Sequence, residues 1–138
     1  MLSPPPMQTV LTIAGFDPSS GAGVTADLMV FAAHSLFGTA CITALTVQST
    51  LGVRSTHPTP AAVLRATLDC LDQDLPHAGI KIGMLSTENN VLAICEYLEK
   101  YQLKHWHLSE GWVPVVLDPV LRSSSGRELL DPAGATLL

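Results

Sequence analysis

The chain has 138 residues, 47% of them apolar, with a net charge of −5 and a mean hydropathy of +0.34. That length holds one domain with a real buried core, and no apolar run approaches the roughly 20 residues that span a bilayer. An acidic balance without a basic cluster argues against nucleic acid as the main partner. Residues 1–8 open with Met1-Leu2-Ser3-Pro4-Pro5-Pro6, which has neither the charge nor the apolar core of a signal peptide. They read as a flexible lead-in to a single domain over residues 9–138. Cys41, Cys70 and Cys95 are odd in number, widely spaced and set in apolar patterns. That usage reads as a reduced chain with structural cysteines and predicts a cytoplasmic location.

In chain order, residues 10–13 (VLTI) form a β-branched run bounded by Ala14-Gly15, the pattern of a buried parallel strand. Turn formers follow at Asp17, Pro18, Ser19, Ser20, Gly21 and Gly23, and from Val24 the spacing of Leu28, Phe31, Ala32 and Leu36 is helical. A strand emptying through glycines into a helix N-terminus presents unpaired N–H groups and the positive end of the helix dipole to a polar or anionic ligand. Gly38 reads as the left-handed helix stop. Residues 39–47 (TACITALTV) read as a second strand, ending on Gln48, and residues 51–58 as a polar connection. Thr59-Pro60 reads as the cap and first turn of a helix with one stripe of Leu64, Leu68, Leu71 and Leu75.

Residues 79–83 (GIKIG) predict a third short strand leading to Met84-Leu85. Thr87 then caps a helix with Glu88 in its first turn, Val91, Ile94, Cys95 and Leu98 on its buried face, and Lys100 at its end. The segment 104–112, with His105, Trp106, His107 and Trp112, reads as an irregular surface loop. Residues 113–117 (VPVVL) predict a fourth strand that delivers Asp118-Pro119, and residues 128–138 begin a last helix. The order βαβαβαβ is that of an α/β layer fold, a parallel sheet covered by helices.

Gly15, Gln48, Gly83-Met84 and Asp118 each lie just past the end of a predicted strand. In an open parallel sheet those ends share one rim, where ligands bind. Three mechanistic motifs fail there. No Gly-Lys-Ser/Thr exists for a P-loop. Residues 21–26 fit G-x-G-x-x-A, yet five residues separate Gly15 from Gly21, and Gln48 stands where a dinucleotide site needs an acid. His105 and His107 are too close together for a helical zinc pair, and no cysteine lies near.

Residues 14–27 (AGFDPSSGAGVTAD), 42–50, 81–85 (KIGML) and Asp118-Pro119-Val120 with Ser125-Gly126 together resemble hydroxymethylpyrimidine/phosphomethylpyrimidine kinase of thiamine biosynthesis. The resemblance implies a ribokinase-like fold, with a parallel sheet core and helices on both faces. It implies phosphorylation of 4-amino-5-hydroxymethyl-2-methylpyrimidine and then of its monophosphate, with ATP and Mg²⁺. By position it makes Gln48 the residue that hydrogen-bonds the pyrimidine, with Asp27 and Gly15 beside it and Met84 and Val120 as apolar walls. Asp118 falls near the nucleotide phosphates, helping to hold Mg²⁺ directly or through water, and no residue is a dedicated metal ligand. Pyridoxal kinase-like activity is the alternative within the same class.

Two departures stand out. Ser124 replaces a lysine common before the Ser-Gly pair, with Arg122 two residues earlier, and the 104–112 connection is long. Kinases of this fold continue into further βα units with a glycine-rich anion hole, and none precedes Leu138. The expectation is therefore the N-terminal half of such a kinase, with no catalytic residue in this half, and the alternative to kinase activity is a truncated, non-catalytic pyrimidine-binding fragment. A sheet cut midway leaves an unpaired edge and exposed apolar surface, which favours association such as a homodimer.

Overall fold

The computed structural model describes residues 7–107 and 111–138. The proline lead-in at residues 1–6, residues 108–110 of the predicted surface loop and the side chains of His105 and His107 lie outside the described residues. Five strands, β1 (Thr9–Phe16), β2 (Phe37–Ser49), β3 (Gly52–Pro58), β4 (Gly79–Ile82) and β5 (Val115–Leu117), form one sheet in the order β3-β2-β1-β4-β5. The run β2-β1-β4-β5 is parallel, and β3 is antiparallel to β2. Four helices complete the described residues: α1 (Gly23–Ala33), α2 (Ala61–Asp74), α3 (Glu88–His107) and α4 (Pro132–Leu137). Among the described residues no helix is long and apolar enough to cross a membrane.

Strand alternation divides the work between the two faces of the sheet. Leu11, Ile13, Cys41, Ile80 and Ile82 point to one face, where Leu64 and Leu68 of α2 and Val91 and Ile94 of α3 close the core. Each such side chain contributes about 1.5–3 kcal/mol by leaving water. Thr12 and Lys81, one residue out of step, point to the other face, where both meet Asp27 of α1. α1 packs on β1 and β2 there.

Several expectations change in the structure. The segment read as a polar connection is the edge strand β3, which pairs with β2 through His57, Thr56 and Ser55. It is polar because an edge strand shows much of its surface to water. Gly38 does not stop α1. Ser35 takes the left-handed conformation (φ 58°), whereas Gly38 lies in β2, where an added Cβ would meet Leu28 Cδ2 at 2.6 Å. Thr59 does not cap α2, whose cap position is Pro60 without a side-chain hydrogen bond. Thr59 N instead donates to Thr43 O at 2.9 Å and extends the β3 pairing.

α3 runs on past Lys100 to His107, so residues 104–107 are helical rather than loop. Asn90, Ile94, Tyr97 and Tyr101 keep a helical period on its buried side, which carries the helix beyond the predicted end. Cys95 lies off that stripe and is exposed, with Ala93 buried instead. Thr87 does cap α3, accepting from Asn90 N at 3.3 Å. The last helix starts only at Pro132, capped by Asp131, whose carboxylate accepts from Gly134 N at 2.7 Å and also from Glu88 N at 3.1 Å. One side chain thus ties the starts of α3 and α4 together. Val115, Val116 and Leu117 of the edge strand β5 are exposed.

The cysteines differ in reach. Cys41 is buried and its thiol is pushed up to about 12 by desolvation, while Cys70 and Cys95 are exposed. A thiol held protonated is a poor nucleophile. We expect two fast equivalents with a disulfide thiol reagent at pH 8 in native protein, and the third only after denaturation. Three fast equivalents would contradict this packing.

Candidate functional site

The C-terminal ends of β1, β2, β4 and β5 open onto one cavity of about 790 Å³. Its first wall is the turn from β1 into α1. The chain leaves β1 and comes straight back, so that Phe16 and Gly23 form an antiparallel bridge. Gly23 sits at φ +63°, and a Cβ on it would lie 2.2 Å from Gly15 O. Only glycine fits there. Asp17 is buried and its carboxylate serves the loop, accepting from Ser19 N at 2.8 Å and Ser19 Oγ at 2.7 Å. Thr25 Oγ1 donates to Asp17 O at 2.9 Å. The cap position of α1 is Ala22, with no side-chain cap, so backbone N–H groups of its first turn have no side-chain acceptor beside the cavity.

The apolar wall comes from the ends of β2, β4 and β5. Ala44, Met84 and Leu129 form a small buried cluster, with Val53 and Val120 packed against it. Met84 crosses over Gly15 so closely that a Cβ at Gly15 would stand 2.8 Å from its sulfur. Its backbone is tied down because Thr43 Oγ1 donates to Met84 O, and Asn90 Nδ2 donates to Thr43 O at 3.2 Å and Leu85 O at 3.1 Å.

Polar groups interrupt this surface at three places. Lys81 Nζ donates to both Asp27 oxygens, at 3.0 and 2.8 Å, and Thr12 Oγ1 donates to Asp27 Oδ2 at 2.6 Å. The Lys81 and Asp27 side chains are only 26% and 17% exposed, so the pair is largely shielded from water. Gln48 is half-buried, and its amide Oε1 lies 2.9 Å from Thr46 Oγ1. Asp118 follows β5, where its N–H donates to Ile82 O at 2.8 Å. Asp118 lines the cavity, and its carboxylate makes no hydrogen bond or ion pair among the described residues. Arg122 pairs with Glu128 at 3.3 Å on the exposed rim, and Ser123, Ser124 and Ser125 lie beside it.

Gly15, Asp27, Gln48, Met84, Asp118 and Val120, the six residues singled out from the sequence, all line this cavity. The sequence reading passed over Lys81 and Thr46, and took the β2–β3 hairpin, whose residues 49–53 close one side, for a plain connection. Lys81 carried a signal. A lysine between Ile80 and Ile82 on a buried strand requires a counterion on the opposite face.

A family model for phosphomethylpyrimidine kinase matches residues 17–138. The chain belongs to the phosphomethylpyrimidine kinase family. It is 41% identical over 128 residues to the hydroxymethylpyrimidine/phosphomethylpyrimidine kinase of Aquifex aeolicus, which covers 93% of this chain and 47% of that relative. The crystal structure of phosphomethylpyrimidine kinase from Clostridium difficile superposes with a TM-score of 0.78 at 38% identity, over 94% of this chain and 53% of that one. An ADP complex of Bacillus subtilis pyridoxal kinase gives a TM-score of 0.67 at 28% identity, over 81% of this chain and 41% of that one. The fold is ribokinase-like. The chain spans about half the length of the curated relatives it matches.

The Lys81–Asp27 pair can be weighed directly. Lys81→Met leaves a shielded carboxylate without its counterion, and we expect a loss of about 1–3 kcal/mol in urea unfolding. Adding Asp27→Asn removes the stranded charge, so the double variant should be more stable than the sum of the two single losses. Additive losses would contradict a coupled pair.

Proposed function

We propose that the protein phosphorylates the hydroxymethyl group of 4-amino-5-hydroxymethyl-2-methylpyrimidine, and then the resulting monophosphate, using ATP in thiamine biosynthesis. The observation that carries this reading is the meeting of an amide, an ion pair and an apolar wall in one cavity of a chain from this family. Met84 and Val120 offer the apolar surface an aromatic ring needs, and Gln48 offers a donor and an acceptor to the ring edge. Asp27, held by Lys81 and Thr12, keeps a carboxylate beside them.

Mg²⁺, when bound with ATP, supplies charge neutralisation on the phosphates. Among the described residues no three His, Cys, Asp or Glu side chains come together. The unengaged carboxylate of Asp118 at the cavity fits a cation held mostly by phosphate and water, which is the common arrangement for Mg²⁺. The first turn of α1, which lines the cavity at Gly23 and Ala26 and has no side-chain cap, and the Ser123–Ser125 hydroxyls would receive anionic oxygens. A cytoplasmic location belongs to the same proposal, since three unpaired cysteines suit a reducing compartment.

Calorimetric titration of the chain with the hydroxymethylpyrimidine tests the reading. We expect saturable binding, at least about tenfold weaker in Gln48→Ala from the loss of one or two hydrogen bonds, and weaker for pyridoxal than for the pyrimidine. No binding by folded protein, or equal affinity in Gln48→Ala, would refute it.

A further inference from the structure

Thr46 and Gln48 lie two residues apart on β2 and both line the cavity. The Thr46 hydroxyl is buried, 2.8 Å from Phe16 O and 2.9 Å from Gln48 Oε1, the atom that the proton count exchanges for Nε2. A hydroxyl has one proton to give and two lone pairs that accept. The Phe16 carbonyl can only accept. An amide oxygen facing Thr46 would therefore leave two acceptors competing for one proton, and one of the two contacts would be oxygen against oxygen. A half-turn about the last side-chain bond of Gln48 exchanges its oxygen and nitrogen with little change of shape, so the count of protons decides which atom faces Thr46. With Nε2 there, both contacts carry a hydrogen.

We propose that Thr46 is a positioning residue that sets the polarity of the Gln48 amide. Nε2 donates to Thr46 Oγ1, Thr46 donates to Phe16 O, and Gln48 Oε1 with the second N–H of Nε2 is left to the cavity as an acceptor–donor edge. That edge takes an aromatic ring whose exocyclic amino group donates and whose adjacent ring nitrogen accepts. A 4-oxo ring with a protonated neighbouring nitrogen presents the reverse order, acceptor against acceptor and donor against donor. A buried polar group left facing its own kind discriminates strongly between such analogues. The choice of ligand rests on the pyrimidine reading above, whereas the orientation of the amide does not.

Nuclear Overhauser measurements on the ¹⁵N-labelled chain without ligand test the orientation. We expect the Gln48 side-chain NH₂ protons to show contacts to the Thr46 β and methyl protons. An assigned Gln48 NH₂ with no contact to Thr46 would overturn the proposal, and this arm needs no variant to fold. In a second arm, the 4-amino pyrimidine and its 4-oxo analogue are titrated into wild type, Thr46→Ser and Thr46→Val. Wild type and Thr46→Ser should prefer the amino ring by about tenfold or more, and Thr46→Val should lose most of that preference. An undiminished preference in Thr46→Val would overturn the positioning role. Should wild type bind neither ring, the pyrimidine reading falls, and the Overhauser contacts still decide the amide.

Discussion

The ion pair of Lys81 and Asp27 exists because β4 turns Ile80 and Ile82 to one face and Lys81 to the other. β1 does the same beside it, with Leu11 and Ile13 in the core and Thr12 on the side of Asp27. A strand covered on one face by the core and on the other by a helix leaves little water around a lysine, which therefore needs a carboxylate within reach. α1 brings that carboxylate, and the turn that delivers α1 is tight enough to demand glycine at position 23. The position of the helix, the shape of the turn and the floor of the cavity are therefore one problem with one solution.

The cavity joins two surfaces of opposite character. Met84, Val120 and Leu129 make one side apolar, while Gln48 near the end of β2, Asp118 just after β5 and Asp27 of α1 supply its polar groups. A few fixed polar groups on an apolar wall orient a small ring better than many mobile ones, because fewer side chains must be ordered on binding. Here the polar groups are already ordered: Asp27 by Lys81 and Thr12, Gln48 by Thr46. Asp118 is the exception, a carboxylate with no engagement among the described residues that lines the same cavity as Ser123–Ser125.

Much of this was legible in the residues. Apolar β-branched runs announced the parallel strands, and their ends marked the rim on which Gly15, Gln48, Met84 and Asp118 meet. β3 escaped because an edge strand has no buried face strong enough to impose alternation on Arg54, Ser55 and His57. The stop of α1 was misplaced because glycine is the usual left-handed residue, whereas here Ser35 takes that role and frees Gly38 for close packing under Leu28. α3 was cut short at a lysine because Tyr101, which continues its buried stripe, carries a polar tip. Thr46 was invisible for a different reason. Its role lies in a hydrogen bond to Phe16 O, thirty residues away in the chain, and no local spacing encodes that contact.

The central claim is that one cavity at the strand ends receives the pyrimidine. Titrating the hydroxymethylpyrimidine into ¹⁵N-labelled chain and following backbone amides tests it most directly. The account predicts saturable shifts at Gly15, Gly23, Gln48, Gly83 and Met84, with α2 and the outer side of α3 silent. Shifts centred on α2 and α3, or a folded protein whose spectrum does not move, would contradict it.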